Sequence, residues 1–305
     1  MNLKISIVFV LAAMTLSTTA LADAGKEDAE KLGVETTTMK GLTGPVGSEG
    51  ESDVDMRTMP IGEILPSLDG YVFRSRFLTL APGAYLPLHS QENRPAMSYV
   101  VFGDIIEYRS GQPEPTELKA DENTVDYNIT QWWNNADDEP MLFFTGDICE
   151  IGQGAGCDPE AKSAASEHPL QRIESEYPQE LGTRRIDGYE GPAKNKGLSV
   201  EDRGEIPLDE AFQDKEGLEN YVIRARKITV APGGVIQLLQ NEDRPYHFGI
   251  VKGELTYHSP DGSVVLHPND SFLAKGDLMH WWQNRSDETA EVMTFDLVEK
   301  QNQET

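Results

Sequence analysis

Along most of the chain, apolar and polar positions alternate in short runs that end at glycine, proline or a polar cluster. YVFRSRFLTL (71–80) and YVIRARKITV (221–230) are rich in β-branched and aromatic residues, and both stop at Ala-Pro-Gly. That composition and that stop signal predict strands. MSYVVFGDIIEYRSG (97–111) and HFGIVKGELTYHSPDG (247–262) each read as a strand, a glycine turn at Gly103 or Gly253, and a second strand. YNITQWWNNADDEPMLFFTGDICE (127–150) and DSFLAKGDLMHWWQNRSDETAEVMTFDLVE (270–299) complete the pattern. No amphipathic helix of any length intrudes. Many short strands with regular turn signals predict antiparallel sheets packed as a sandwich or barrel.

The paired segments make the chain an internal duplication. Tyr, Val, two Arg, Thr and Ala-Pro-Gly recur in register at an offset of 150 residues, and all four tryptophans lie in the doublets Trp132-Trp133 and Trp281-Trp282. The first repeat is expected over 56–152 and the second over 201–299. Residues 23–55 read as a flexible or loosely docked leader, 153–200 as a polar linker and 300–305 as a tail. Ahead of them, Lys4, a short apolar run and Ala20-Leu21-Ala22 read as a secretory signal peptide over 1–22, with a periplasmic or secreted destination. An N-terminal membrane anchor is the alternative reading; the apolar run is shorter than the roughly 20 residues that a spanning helix needs.

Composition narrows the partners. A formal charge of −26 on 305 residues repels nucleic acid and anionic lipid, so neither is an expected partner. The two cysteines, Cys149 and Cys157, bracket a glycine-rich loop. After export they are expected to form a disulfide, with a metal pair as the alternative.

The ordered motifs, Pro82-Gly83, His89-Ser90-Gln91, Arg94-Pro95-Ala96, Tyr99-Val100, Gly103, Glu107-Tyr108-Arg109 and Trp132-Trp133, resemble those of the cupin superfamily and of small single-domain bacterial cupins within it. The match covers most of both halves. The resemblance implies an all-β chain of two tandem jelly-roll β-barrels, a bicupin. Metal-dependent cupins offer three imidazoles, and often a carboxylate, to one ion. Here the corresponding positions read His89, Gln91, Ala96 and Gln131 in the first copy and Leu239, Asn241, Tyr246 and His280 in the second. One imidazole of three survives in each, so no metal cofactor is expected. The alternative is a single divalent Fe, Mn, Ni, Cu or Zn ion on His89, Gln91, Glu107 and Gln131, which imidazole chemistry alone would not discriminate. His247, His258 and His267 are expected to pack or face solvent, His247 because strand alternation turns it away from Tyr246.

A barrel without metal still carries polar groups on its walls. His89, Gln91, Glu107 and Gln131 in one copy and Asn241, Tyr246 and His280 in the other suit a sugar, sugar acid or carboxylate. Arg94 and Arg244, each followed by proline, are placed to clamp a ligand carboxylate. The pairs Arg74/Arg76 and Arg224/Arg226 are expected to be internal salt-bridge partners ahead of anion recognisers. His280 as base, with a pKa near neutrality, and Tyr246 as acid form a candidate metal-free catalytic pair. The reading is an exported bicupin that binds a small polar or anionic molecule or serves a structural role. A metal-dependent dioxygenase, isomerase or lyase and an oligomeric scaffold are the alternatives.

Overall fold

A computed structural model describes residues 25–154, 156–159, 176–240, 245–274 and 278–300. The signal-peptide segment 1–22, Asn241, Arg244 and the tail after Lys300 lie outside the described residues. The first copy begins with α1 (Lys26–Lys31), β1 (Thr36–Met39), β2 (Leu42–Pro45) and β3 (Glu49–Pro60). It continues through β4 (Tyr71–Ser90), β5 (Ala96–Phe102), β6 (Ile105–Arg109), β7 (Thr116–Leu118), β8 (Asn123–Asp126), β9 (Thr130–Asn134) and β10 (Met141–Glu150). The second copy repeats the order with β11 (Thr183–Ile186), β12 (Tyr189–Pro192), β13 (Lys196–Pro207), α2 (Leu208–Ala211), β14 (Tyr221–Gln240), β15 (Tyr246–Lys252), β16 (Leu255–Ser259), β17 (Gly262–Leu266), β18 (Ser271–Ala274), β19 (Met279–Gln283) and β20 (Ala290–Glu299).

Each copy is a nearly closed antiparallel barrel. The strand order is β7-β6-β9-β4-β10-β5-β8, with β3 on the free side of β4, and β17-β16-β19-β14-β20-β15-β18, with β13 on β14. β4 and β14 are long enough to bend: the first half of each pairs with β10 or β20 and the second half with β9 or β19. The two-tandem-barrel architecture expected from the sequence is therefore present.

Strand alternation divides the apolar residues between two kinds of core. On β10, Met141 and Phe143 join Leu78, Leu80, Val100 and Trp133 inside the first barrel. Leu142, Phe144 and Ile148, on the opposite face, join Phe73 and Phe77, and with them Ile223, Ala225, Met293 and Phe295 of the second copy. The barrels thus share one apolar seam. It closes tightly: a Cβ at Gly249 would lie 2.6 Å from the Phe77 ring, and one at Gly146 would lie 2.5 Å from Phe295. Polar bonds fix its edges. Asp55 on β3 accepts from the Ser271 amide (2.9 Å) and hydroxyl (2.7 Å) on β18. At the corresponding place on the other side, Asn123 of β8 donates to the Arg203 carbonyl of β13 at 2.7 Å.

The expected flexible leader and polar linker are corrected by this arrangement. Residues 26–60 carry α1, the β1–β2 hairpin and the edge strand β3, and 183–207 carry the matching hairpin and β13. The turns Lys40-Gly41 and Asp187-Gly188 have positive φ at both residues, the geometry that two-residue hairpins favour. Each hairpin covers one ring of a tryptophan doublet: a Cβ at Gly44 would lie 2.6 Å from Trp132, and one at Gly191 would lie 2.9 Å from Trp281. Under the hairpins, Trp132 stacks on Tyr108 at 3.9 Å and Trp281 on His258 at 3.8 Å. Trp133 and Trp282 turn inward.

Cys149 and Cys157 are joined in a disulfide, as expected from the sequence. Both are buried against Val72. Closing a loop of this length contributes about 2–3 kcal/mol by restricting the unfolded chain. Urea unfolding of the Cys149→Ala, Cys157→Ala double variant is expected to show a loss of that size, and an unchanged midpoint would contradict it.

Candidate functional site

The first-copy candidates come together because β4, β9 and β6 are neighbours in the barrel wall. His89 on β4 lies opposite Gln131 on β9, which on its other side lies opposite Arg109 on β6. Glu107, two residues before Arg109, shares its inward face, while Tyr108 turns out to Trp132. Asp126 enters from β8, opposite Ala96 on β5. Gln91, Glu107, Asp126 and Gln131 are all buried.

The hydrogen bonds fix which atoms are left over. His89 Nδ1–H donates to the Pro87 carbonyl at 2.8 Å, so Nε2 is an acceptor and takes the Gln91 amide N–H at 3.1 Å. Burial pushes the imidazole down to about 4, which keeps it neutral at ordinary pH. Gln131 donates its amide nitrogen to Asp126 Oδ2 at 3.4 Å. Each amide thus turns its nitrogen to a protein acceptor with one of its two N–H groups. Gln91 Oε1 and Gln131 Oε1 are buried with no hydrogen-bond partner among the described residues.

Two carboxylates share one guanidinium beside them. Arg109 donates to Glu107 Oε1 at 3.1 Å and makes a close ion pair with Asp126. Thr124 adds a 2.6 Å bond to Asp126. Burial, then the nearby Asp126 charge, pushes Glu107 up to about 7, and burial raises Asp126 as well. Asp126 and Arg109 are the members that sequence reasoning missed; the signal was the inward alternation of Thr124 and Asp126 on one short strand.

Arg94 does not face a ligand as a free clamp. Its Nε and Nη2 both donate to Asp147 Oδ2, at 3.2 and 3.1 Å. Arg74 grips the same carboxylate in a two-point bond at 2.9 and 2.6 Å. Burial works to raise Asp147, but the Arg74, Arg94 and Arg76 charges outweigh it and hold the carboxyl well below the usual range. Arg76 reaches Asp53 at 3.4 Å. The second copy repeats this cluster with Arg224 and Arg226 on Asp296. Both arginine pairs are thus committed to ion pairs that bind strand to strand.

In the second barrel the candidate pair meets. Tyr246 donates its hydroxyl to His280 Nε2 at 2.7 Å, and His280 Nδ1–H points to the Leu278 carbonyl at 3.3 Å. The expectation of a near-neutral base is corrected: burial pushes His280 down to about 4, so its imidazole stays neutral and is a weak base. Tyr257 lies nearly parallel to His280 at 5.5 Å, and edge-on to Trp282 at 5.2 Å. Its hydroxyl is buried and has no partner among the described residues, and burial raises it strongly. Phe248, Phe272 and Trp282 fill the surrounding space with rings.

Aligned by strand position, the lumens have diverged. Glu107, Arg109, Thr124 and Asp126 of the first correspond to Tyr257, Ser259, Phe272 and Ala274 of the second. His247 turns out of its barrel, as alternation predicts, and packs in the seam. There it bonds Ser75 at 2.7 Å and lies edge-on to Phe73. His258 packs against Trp281, and His267 is exposed.

Neither set fits the transition ion that metal-dependent barrels of this type hold. In the first, His89 Nε2 is already taken by an amide, and Glu107 is tied to Arg109. In the second, Leu239 has no donor atom and His280 Nε2 is taken by a tyrosine hydroxyl. Among the described residues no group of three or more His, Cys, Asp or Glu side chains is placed to hold a metal.

No protein-family model matches the sequence, and no curated protein matches it. Solved structures do. A putative glyoxylate induced protein from Pseudomonas aeruginosa is 13% identical, with 86% of this chain and 84% of that one covered at a TM-score of 0.51. Protein Ylba from E. coli is 12% identical, with 87% of each chain covered at 0.50. A cupin 2 conserved barrel domain protein from Leptotrichia buccalis is 9% identical, with 80% of this chain and 89% of that one covered at 0.42. At such identities the likeness is one of fold.

Proposed function

Because the chain has the bicupin fold, two tandem jelly-roll barrels, we propose that it binds a small polar molecule of about sugar size in the first barrel, by hydrogen bonds and without a metal. One observation carries this reading: Gln91 Oε1 and Gln131 Oε1 are buried acceptors without donors among the described residues, beside Glu107. Leaving a buried polar group unpaired costs about 1–3 kcal/mol, so a ligand that supplies the donors recovers that cost on binding. The carboxylate-clamp version of this reading loses support, because Arg94 gives both of its bonds to Asp147. The reading places the protein outside the cytoplasm, in keeping with its disulfide.

The test is a thermal-shift panel of sugars, amines, sugar acids and small carboxylates, run with metal analysis on the purified chain. A true ligand at about 100 times its Kd stabilises by about 2.7 kcal/mol. The shift is expected to disappear in Gln131→Leu, and transition metal is expected well below one ion per chain. The reading fails if no compound raises the melting temperature, which favours a purely structural role. A near-stoichiometric metal content would instead restore the metal-enzyme alternative.

A further inference from the structure

We infer that the first barrel is built for a ligand carrying a primary amine, whose ammonium N–H groups meet Gln91 Oε1, Gln131 Oε1 and the Glu107 carboxylate. This rests on the reading that the first barrel binds a small polar molecule, and it names the class.

The argument begins with hydrogen-bond direction. Pro87 fixes the His89 tautomer, the tautomer turns the Gln91 nitrogen to His89, and Asp126 does the same for the Gln131 nitrogen. Each amide nitrogen keeps a second N–H, but the amide atoms left with no partner among the described residues are the two oxygens, and an amide oxygen accepts only. An alkylammonium carries three N–H donors and no acceptor, the complement of that set. Among the described residues the lumen also holds the unpartnered donors Arg109 Nε and Trp133 Nε1, which suit a ligand hydroxyl beside the amine.

Charge points the same way. Two carboxyls, Glu107 and Asp126, face a single guanidinium, Arg109, and burial with the Asp126 charge pushes Glu107 up to about 7, so the second negative charge inside the barrel is only partly held near neutral pH. The other arginines make their ion pairs elsewhere: Arg74 and Arg94 with Asp147, and Arg76 with Asp53. A buried charge is tolerated when paired, and one monovalent cation pairs this one. The second barrel serves as an internal control. It keeps the arginine–aspartate cluster on Asp296 but has Tyr257, Ser259 and Ala274 where the first has Glu107, Arg109 and Asp126. The cluster is therefore common framework, and the carboxylate pair is particular to the first copy.

The experiment uses the intact chain with probes of similar shape and different charge: glucosamine, glucose and glucuronate, then putrescine, ethanolamine and succinate, with choline as a cation that has no N–H donor. Calorimetry and thermal shift are expected to show binding of at least one primary amine, at least about tenfold tighter than its neutral or acidic counterpart, which is the factor for 1.4 kcal/mol. Choline is expected to bind at least about tenfold more weakly than ethanolamine if ethanolamine binds. Glu107→Gln is expected to abolish the amine preference. If that variant does not fold, Glu107→Gln with Arg109→Gln and Asp126→Asn removes every charge of the ion cluster and is expected to fold without binding amines. Tighter binding of glucose, glucuronate or succinate overturns the amine assignment and leaves the binding reading standing. Amine binding that survives the loss of Glu107 overturns it as well, and silence across the whole panel overturns both.

Discussion

Replacing Asp147 with asparagine is expected to cost about 3–5 kcal/mol of stability, the range for a buried ion pair that loses one partner. Asp147 grips Arg74 in a two-point bond, and Arg74 is fully buried. It also anchors Arg94, so the substitution strands a second, half-buried cation. The loss should appear as a lower urea midpoint with an unchanged slope. The charge is not the source of stability in itself: Arg74→Met combined with Asp147→Leu is expected to recover most of the loss, because burying two ions is costly even when they are paired. Asp296→Asn should behave alike in the second barrel, where Arg224 and Arg226 depend on it. A cost below about 1 kcal/mol for Asp147→Asn would place the pair among weak surface bridges and contradict its burial.

Acid should destabilise the fold well above the usual carboxylate range. Burial pushes His89, His258 and His280 down to about 4 and His247 down to about 3. In the unfolded chain each takes a proton near pH 6.5. These depressed imidazoles therefore leave stability intact above about pH 6.5 and remove it as the pH falls toward 4, by about 1.4 kcal/mol per unit for each histidine. Glu107, raised to about 7, and Asp126, raised by burial, work in the opposite sense, since the folded chain binds their protons first. Four imidazoles against these two carboxyls leave the unfolded chain ahead by two to three protons, or about 3–4 kcal/mol per pH unit between pH 6 and 5. Urea unfolding at pH 7.5, 6.0 and 5.0 measures the slope. His247→Phe should flatten it by about one proton. A flat profile would mean that these imidazoles are not buried as described.

The duplication and the barrel class were legible from the residues, because glycine turns and tryptophan doublets are local facts. The hairpins were harder. TRRIDGYEGP contains the Asp-Gly turn signal, but its four-residue strands carry few apolar groups, and their burial comes from Trp281, some ninety residues away in sequence. β3 and β13 read as polar because they are edge strands with long exposed stretches. At the site, the meeting of Tyr246 and His280 depends on two strands that are not neighbours in sequence, and spacing alone cannot give it. The depressed pKa of His280 depends on how completely the aromatic lumen closes around it. Arg94 looked available because its partner, Asp147, lies 53 residues further on.

The seam between the barrels carries a consequence for ancestry. Phe77 against Gly249 on one side is matched by Lys227 over Tyr99 on the other, and Gly146 meets Phe295, its own counterpart in the second copy. Contacts in which each position meets the partner of its twin are those of a two-fold symmetric dimer. The single-barrel ancestor would have presented this face to another molecule of itself, and gene fusion made that association permanent. Within one chain neither lumen is bound to keep the other's residues, and the second is lined with rings where the first carries charge.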